Sequence, residues 1–349
     1  MWAEPTPDFV PHPWFRGPHR QTIAAAYLWR RLPYRAQQRT VTLADGDRLI
    51  LHEDLPSRTD VSDRVVLLVH GLAGCHASGY MMRIAHKLAQ VGFRVFRLDM
   101  RGCGAGWSQA RRSLHAGRVD DLCSAAAFIN QLSPGSPISL VGFSLGASLV
   151  LKMLGTRDVA SWGLDSAVAV APPLDLLACS RNLSRGRNRI YDRSFVRALC
   201  RIVDRRRQSV PGLDDVSWSR SPRSLYEFDA RFTAPLGGFA DVEDYYRRCS
   251  SLPDLPQIEV RTRILFAEDD PLVPADVYQR AQFAAQTRVY AANAGGHLGF
   301  LARPRHERPD ADWHWMDWRI VDWIRDFDLE GPGGPRVNAD DERESADPI

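Results

Sequence analysis

The chain has 349 residues, of which 44% are hydrophobic and 25% are charged, and its formal net charge is +3. This composition is ordinary for a globular protein, and the length suits one large α/β domain or two small ones. The small charge, with no long basic run and no basic patch interleaved with aromatics, argues against a nucleic-acid-binding protein.

Cysteine spacing and hydropathy argue against two further classes of protein. The six cysteines include no C-x-x-C pair, so we expect a reducing compartment and neither a disulfide framework nor a zinc ribbon. No segment reaches the ~18 apolar residues of a membrane span, and the N-terminus lacks a signal-peptide pattern. The sequence therefore predicts a soluble, cytoplasmic protein without a transmembrane segment.

The first part of the chain is rich in proline, arginine and aromatic residues over 1–38. We expect this segment to pack on the core as a structured lead-in, with a short helix over 21–30. A β-hairpin follows, with strands over 39–43 and 48–54 and an Asp-Gly turn signal at 45–46.

From residue 65 onward, short apolar segments alternate with helical ones, which is typical of a mostly parallel sheet flanked by helices. Further strands are predicted over 65–69, 93–98, 166–171, 262–267 and 288–290, with another beginning at 138. Helices are predicted over 80–91, 120–131, 190–207, 241–248 and 313–327.

This alternation is interrupted over 172–256, where arginine-rich helical segments surround loops with several phenylalanines. We interpret residues 172–256 as a helical cap insertion, here called the cap segment, with additional packing helices as the alternative. The domain core then comprises 39–171 and 257–328, and 329–349 is expected to be a disordered tail.

Residues 142–146 match the G-x-S-x-G nucleophile elbow, in which a serine occupies a strained turn between a strand and a helix. The glycines on either side of Ser144 would let the chain pack closely against itself. An apolar, branched run precedes the motif and a helix-compatible run follows it, as the elbow requires. Ser144 is therefore the candidate nucleophile.

A second glycine-containing loop, His-Gly-Leu-Ala-Gly over 70–74, follows a buried strand. In an acyl-transfer enzyme of this architecture, such a loop supplies one backbone N–H of the oxyanion hole, and the residue after the nucleophile supplies the other. We assign these donors to Leu72 and Leu145.

Metal and nucleotide sites are not expected. His70, Cys75 and His76 are ligand types, but no second ligand cluster has a suitable spacing. The glycine-rich loop over 101–106 matches neither a P-loop nor G-x-G-x-x-G, and Cys103 is expected to be a buried small residue. No metal or organic cofactor is therefore predicted.

Three carboxylates compete for the acidic position of a triad. Asp270 is preferred because it follows a predicted strand and Pro271 stiffens the turn; Asp269 and Asp175 are the alternatives. His297 lies in a glycine-rich loop that follows Ser144 and Asp270 in the chain. This gives the order Ser, Asp, His that this fold uses.

Over about 13–327 the sequence resembles the YheT-like esterases of the α/β-hydrolase superfamily. Besides 70–74 and 142–146, segments that look like family motifs lie at 17–22, 101–103, 115–117, 172–175 and 228–235. Gly17 stands where the family usually has Asn. The resemblance implies that Ser144, Asp270 and His297 are the charge-relay residues and that the substrates are short- to medium-chain acyl esters.

These observations together predict a serine carboxylic-ester hydrolase that acts on a small-molecule acyl ester through an acyl-enzyme. A lipase, a thioesterase or an acyltransferase could use the same triad, and pocket depth cannot be read from sequence. A binding protein that keeps the fold without turnover is the alternative outside enzymes, although the chain retains all three candidate triad residues.

Overall fold

The computed structural model describes residues 4–6, 9–28, 32–58, 61–210, 221–303 and 310–331. Within these ranges nine strands form one sheet. The strands are β1 (Glu4–Pro5), β2 (Gln37–Thr42), β3 (Arg48–Asp54), β4 (Val65–Val69), β5 (Arg94–Asp99), β6 (Ile138–Phe143), β7 (Leu164–Val170), β8 (Arg261–Ala267) and β9 (Thr287–Ala292).

The strand order is β1-β9-β8-β7-β6-β4-β5-β3-β2. All pairs from β1 to β5 in this order are parallel, and β3 and β2 are added antiparallel. Every residue of β4 and β6 is buried, as expected for strands covered on both faces. The predicted mostly parallel α/β sheet is confirmed.

Eleven α-helices accompany the sheet in the described part of the chain. They are α1 (Pro18–Tyr27), α2 (Gly79–Gln90), α3 (Val119–Leu132), α4 (Leu145–Thr156), α5 (Leu176–Leu183), α6 (Arg189–Arg207), α7 (Leu225–Phe228), α8 (Ala234–Gly237), α9 (Val242–Cys249), α10 (Asp276–Gln279) and α11 (Trp315–Glu330). None of them combines the length and apolar character that a membrane crossing requires.

Two large apolar clusters lie on opposite faces of the sheet. One joins α2 and α11 to the residues of the central strands that face them, and the other joins α3 and α4 to the opposite side chains of the same strands. Because β4 lies between β5 and β6, the strand order reverses there, and the loops after β4 and β6 meet at the carboxyl edge.

The cap segment contributes α5 to α9, with a π-helical turn over Asp229–Thr233 between α7 and α8. Side chains of α5 and α9 form a small apolar cluster with Leu145 at the start of α4, and Leu72 packs against it. The cap segment therefore contacts both loops that carry the predicted oxyanion donors.

Two predicted helices differ from the observed ones by more than one residue at their ends. The helix expected over 21–30 spans Pro18–Tyr27, because Pro18 at the first helical position and Gly17 with φ of 93° start it earlier. The C-terminal helix begins two residues later than expected and continues to Glu330. The predicted disordered tail lies, from residue 332, outside the described residues.

Candidate active site

Ser144 sits at a sharp corner between β6 and α4. Its backbone has φ of 51° and ψ of −122°, a conformation that a residue with a side chain rarely adopts. The Ser144 N–H donates to the carbonyl oxygen of Val170 on β7 at 2.9 Å. The strained turn is thus tied to the neighbouring strand, with the serine at the carboxyl edge of the sheet.

The two glycines beside Ser144 have no room for a side chain. A Cβ on Gly142 would lie 2.6 Å from the Cα of Ala147. A Cβ on Gly146 would lie 2.4 Å from the carbonyl oxygens of Val69 and His70. Since these obstacles are backbone atoms, the G-x-S-x-G spacing has a steric cause, namely the close approach of α4 to β6 and to the end of β4.

His297 bridges the serine and a carboxylate. Its Nε2 lies 2.8 Å from Ser144 Oγ, and its Nδ1 lies 2.8 Å from Asp270 Oδ2. The other oxygen of Asp270 accepts from the N–H groups of Leu272 at 2.7 Å and Val273 at 3.1 Å. With Nδ1–H donating to the carboxylate, Nε2 is free to accept the serine proton.

The alternative acids have other contacts. Asp269 accepts a hydrogen bond from the Gly296 N–H at 2.8 Å, and burial raises the pKa of its carboxyl. Asp175 caps α5 by accepting from the Ala178 N–H at 3.0 Å and pairs with Arg280 at 2.7 Å. Of the three candidates, Asp270 is the one bonded to His297.

The loop after β4 packs directly against the serine. A Cβ on Gly71 would lie 3.0 Å from Ser144 Cβ, and the Gly71 N–H donates to the hydroxyl of Tyr80 at 3.0 Å. The backbone N–H groups of Leu72 and Leu145 have no acceptor among the described residues. Both N–H groups are therefore available to donate to a bound ligand.

Two residues of α1 also support the site, and sequence reasoning assigned neither of them a role. Thr22 Oγ1 accepts from the His297 N–H at 2.9 Å. The fully buried Gln21 side chain donates to the carbonyl of Leu301 at 3.0 Å and accepts from its N–H at 2.7 Å. Both residues lie in the segment 17–22, which looks like a family motif. That resemblance is the one feature of the sequence that could have pointed to them.

A narrow cavity of about 60 Å³ adjoins the two predicted oxyanion donors. The cap segment supplies most of its apolar wall. The lining residues include Leu72, Leu145, Leu199, Ile202, Val203, Phe228 and Phe232. This cavity can take a small apolar group beside Leu145, the residue that follows the serine.

Three side chains of the kinds that bind metal ions lie close together: His52, His76 and Asp99. The ligand atoms of His52, His76 and Asp99 lie within 4.8 Å of one another. Asp99 Oδ2 is 2.9 Å from His52 Nε2 and 2.7 Å from His76 Nδ1, and the rings stack at 3.5 Å. Both imidazoles therefore bond to the same carboxylate oxygen.

Hydrogen bonding already satisfies this group. Burial raises the pKa of the Asp99 carboxyl, but hydrogen bonds from the two histidines outweigh burial and hold the pKa well below its usual range. The hydroxyl of Tyr34 lies 2.6 Å from His52 Nδ1. His70, a ligand candidate from the sequence, instead bonds to the Gly71 carbonyl and the Met100 N–H.

The family model for the alpha/beta hydrolase fold matches residues 64–304. Escherichia coli (strain K12) YheT, which carries the name of an esterase, is 28% identical over 325 residues, covering 92% of this chain and 94% of that protein. Phospholipase ABHD3 of Homo sapiens is 24% identical over 304 residues, covering 85% of this chain and 74% of that protein.

Among solved structures, the Pyrococcus furiosus esterase Pf2001 superposes with a TM-score of 0.54 at 15% identity, covering 92% of this chain and 99% of that one. This likeness concerns the fold. With the family model covering more than half of the sequence, the chain belongs to the α/β hydrolase fold family, among its esterase- and lipase-like hydrolases.

Proposed function

We propose that the protein is a serine carboxylic-ester hydrolase in which Ser144 is the nucleophile, His297 the general base and Asp270 the acid that orients it. The observation that carries this proposal is the continuous chain of hydrogen bonds from Ser144 Oγ through the imidazole to Asp270, with both contacts at 2.8 Å. Nucleophile and base within hydrogen-bond reach, with the base held by a third group, is the arrangement that activates a hydroxyl.

The reaction proceeds in two halves. Ser144 Oγ attacks the ester carbonyl as His297 Nε2 takes its proton, and Asp270 stabilises the imidazolium through Nδ1–H. The imidazolium then protonates the departing alcohol, which leaves an acyl group on the serine. A water molecule, deprotonated by the same nitrogen, hydrolyses that acyl-enzyme and regenerates Ser144.

Negative charge forms on the carbonyl oxygen in both halves. In this proposal the N–H groups of Leu72 and Leu145 donate to that oxygen, and each such donor contributes about 3 to 4 kcal/mol of transition-state stabilisation in a comparable enzyme. The dipole of α4, whose first residue is Leu145, adds to this stabilisation because its positive end faces the serine. No step of this route uses a metal or an organic cofactor.

The narrow cavity beside Leu72 and Leu145 favours short acyl chains. Its volume of about 60 Å³ corresponds to roughly two water molecules, which is space for about two or three carbons. In this proposal the cap segment forms a lid over the serine, and short acyl esters are better substrates than long-chain acylglycerols or phospholipids.

The six cysteines are all unpaired, which supports a cytoplasmic location.

The test is nitrophenol release from p-nitrophenyl esters of increasing acyl length, with wild type and Ser144→Ala compared at equal concentration. Wild type is expected to hydrolyse acetyl to butyryl esters fastest, and Ser144→Ala is expected to lose turnover. Activity that persists in Ser144→Ala would overturn the triad assignment, and a long-chain optimum would overturn the short-acyl part of the proposal.

A further inference from the structure

A second cavity, of about 540 Å³, lies next to the narrow one. Arg101 and His115 line both of them. The wall of the larger cavity, here called the basic cleft, carries the cationic side chains of Arg101, Arg112, Arg118, Lys152, Arg157 and Arg248. Its acids are Asp45, Asp120 and Asp121.

The acids of the basic cleft are already paired. Asp121 accepts both hydrogen bonds of a bidentate contact from Arg101, at 2.7 and 2.9 Å. Asp120 pairs with Arg157 at 2.9 Å, and Asp45 pairs with Arg101 at 2.9 Å. Asp45 also lies 3.4 Å from Arg112, so each of these carboxylates already has an arginine partner other than Arg118.

Arg118 directly precedes α3. Of the six cationic side chains of the basic cleft, it is the one without an ion pair among the described residues. Its Nε donates weakly to the carbonyl of Ser113 at 3.3 Å, and no carboxylate in the described ranges lies within ion-pair distance of its guanidinium. Burial and then the neighbouring charge of Arg101 lower the pKa of Arg118, and the more distant charges of Asp121 and Asp45 offset this only in part. An anion in the cleft would relieve this repulsion.

His115 presents a fixed donor at the boundary of the two cavities. Its Nδ1 accepts from the Gly117 N–H at 3.1 Å, so in the neutral ring the proton is on Nε2. Burial, followed by the charge of Arg118, lowers the pKa of His115 to about 3 and keeps the ring neutral. Phe239 and Tyr245 hold the ring by edge contacts, and Nε2 has no acceptor among the described residues.

We propose that His115 and Arg118 form a subsite for an anionic oxygen group, a carboxylate or a phosphate, carried by the ester substrate. The inference rests on the proposed function and names its substrate class: esters with a negative charge away from the scissile carbonyl. The guanidinium supplies charge and the imidazole Nε2–H supplies a directed hydrogen bond, a pairing that suits such a group. The motif-like segment 115–117 thereby acquires a role.

Two matched pairs of esters test the subsite and show which side of the substrate carries the charge. For the acyl side, p-nitrophenyl hydrogen glutarate is compared with p-nitrophenyl methyl glutarate. For the alcohol side, the butyryl ester of glycerol 3-phosphate is compared with that of glycerol, by titration of released acid. We expect wild type to prefer the anionic member of one pair by at least about tenfold in kcat/KM.

Four variants locate this preference. Arg118→Gln and His115→Phe, which keeps the ring contacts, are each expected to bring the anionic-to-neutral ratio close to one. Arg118→Lys should restore most of the ratio, because it returns the charge. Arg157→Gln removes a cleft cation that Asp120 already neutralises, so it should keep the wild-type ratio.

The outcomes separate this inference from the function on which it rests. Ser144-dependent hydrolysis with a ratio near one for both pairs would overturn the subsite and leave the esterase proposal standing. A wild-type preference that Arg118→Gln does not reduce would also overturn it. Failure to hydrolyse any of the four esters would overturn both.

Discussion

Ser144 and His297 are held in place by different kinds of contact. The serine turn is fixed by its own neighbours, because Gly142 and Gly146 let α4 approach the backbone of β6 and the end of β4. The histidine loop is fixed from far away: the His297 N–H bonds to Thr22, 275 residues earlier in the chain.

The difference shows how much of a site a short sequence pattern can carry. The glycine pattern that permits the close packing of the elbow lies within five residues, so it can be recognised without knowing the fold. The support of His297 depends on the docking of α1 at the carboxyl edge of the sheet, and nothing near His297 in the sequence predicts it.

The largest effect is expected at the acid. Asp270→Asn should lower kcat by about 10³- to 10⁴-fold, because an amide cannot stabilise the imidazolium and favours the wrong tautomer of His297. The measurement is steady-state hydrolysis of p-nitrophenyl butyrate.

The matched controls are the same substitution at the two competing acids. Asp175→Asn retains a good helix-capping residue and should remain within about twofold of wild type. Asp269→Asn retains an acceptor for the Gly296 N–H and should lose less than about tenfold. A loss at Asp269 that equals or exceeds the loss at Asp270 would reverse the assignment.

At the elbow, Gly146→Ala should reduce stability by about 2 to 4 kcal/mol, because the new Cβ meets two backbone carbonyl oxygens. Urea unfolding measures the loss. Gly106→Ala is the control, since its nearest neighbour would be a side-chain carbon at an ordinary 3.4 Å. Equal stability of the two variants would show that the elbow is not as tightly packed as described.

The cap segment contains a buried acid with a pH-dependent effect on stability. Burial raises the pKa of Asp229 to about 6, although the hydroxyls of Thr233 and Tyr246 donate to it at 2.6 and 2.8 Å. The native state therefore holds this proton between about pH 4 and 6, where the unfolded chain has released it. Its stabilising contribution is present below about pH 4 and lost as the pH rises through 6.

The measurement is the free energy of unfolding of wild type and Asp229→Asn across this range. Relative to the variant, wild type should lose up to about 3 kcal/mol between pH 4 and 7. A constant difference between the two proteins over this range would mean that Asp229 does not titrate as described.

The smallest effect is expected from the remote support of His297. Thr22→Val removes the acceptor for the His297 N–H and should lower kcat about tenfold with little change in KM, because the ring is displaced while the substrate cavity is untouched. Thr22→Ser keeps the hydroxyl and should restore most of the rate. An unaltered kcat in Thr22→Val would show that the loop holds its shape without α1.

Most of the sheet and the elbow could be predicted because their patterns are local. The strands over Arg48–Asp54 and Val65–Val69 were located to the residue, since a hairpin turn and a wholly apolar run mark them. The order of the strands was not predicted, and the preference for Asp270 over Asp269 and Asp175 rested on its place after a strand, on Pro271 and on the family resemblance. Asp269 and Asp270 are neighbours on one loop, but their side chains bond to different partners. The amino-acid sequence does not show in which direction each side chain points.

Other features depended on contacts between distant segments. His76 was considered with Cys75 and His70, whereas the fold places it on Asp99 and His52, which lie on two neighbouring strands. The β1 strand has two residues and no pattern of its own to detect. Likewise, the basic cleft draws its residues from several loops and helices, so its charge is visible only after folding.

The most direct test of the central claim is covalent labelling with a fluorophosphonate, followed by peptide mass spectrometry of the modified protein. The proposed mechanism predicts one adduct, on Ser144, that forms rapidly in wild type and slowly in Asp270→Asn, with a matching loss of ester hydrolysis. Full labelling at another residue, or hydrolysis that continues after Ser144 is fully modified, would contradict the assignment of Ser144, His297 and Asp270 as the catalytic groups.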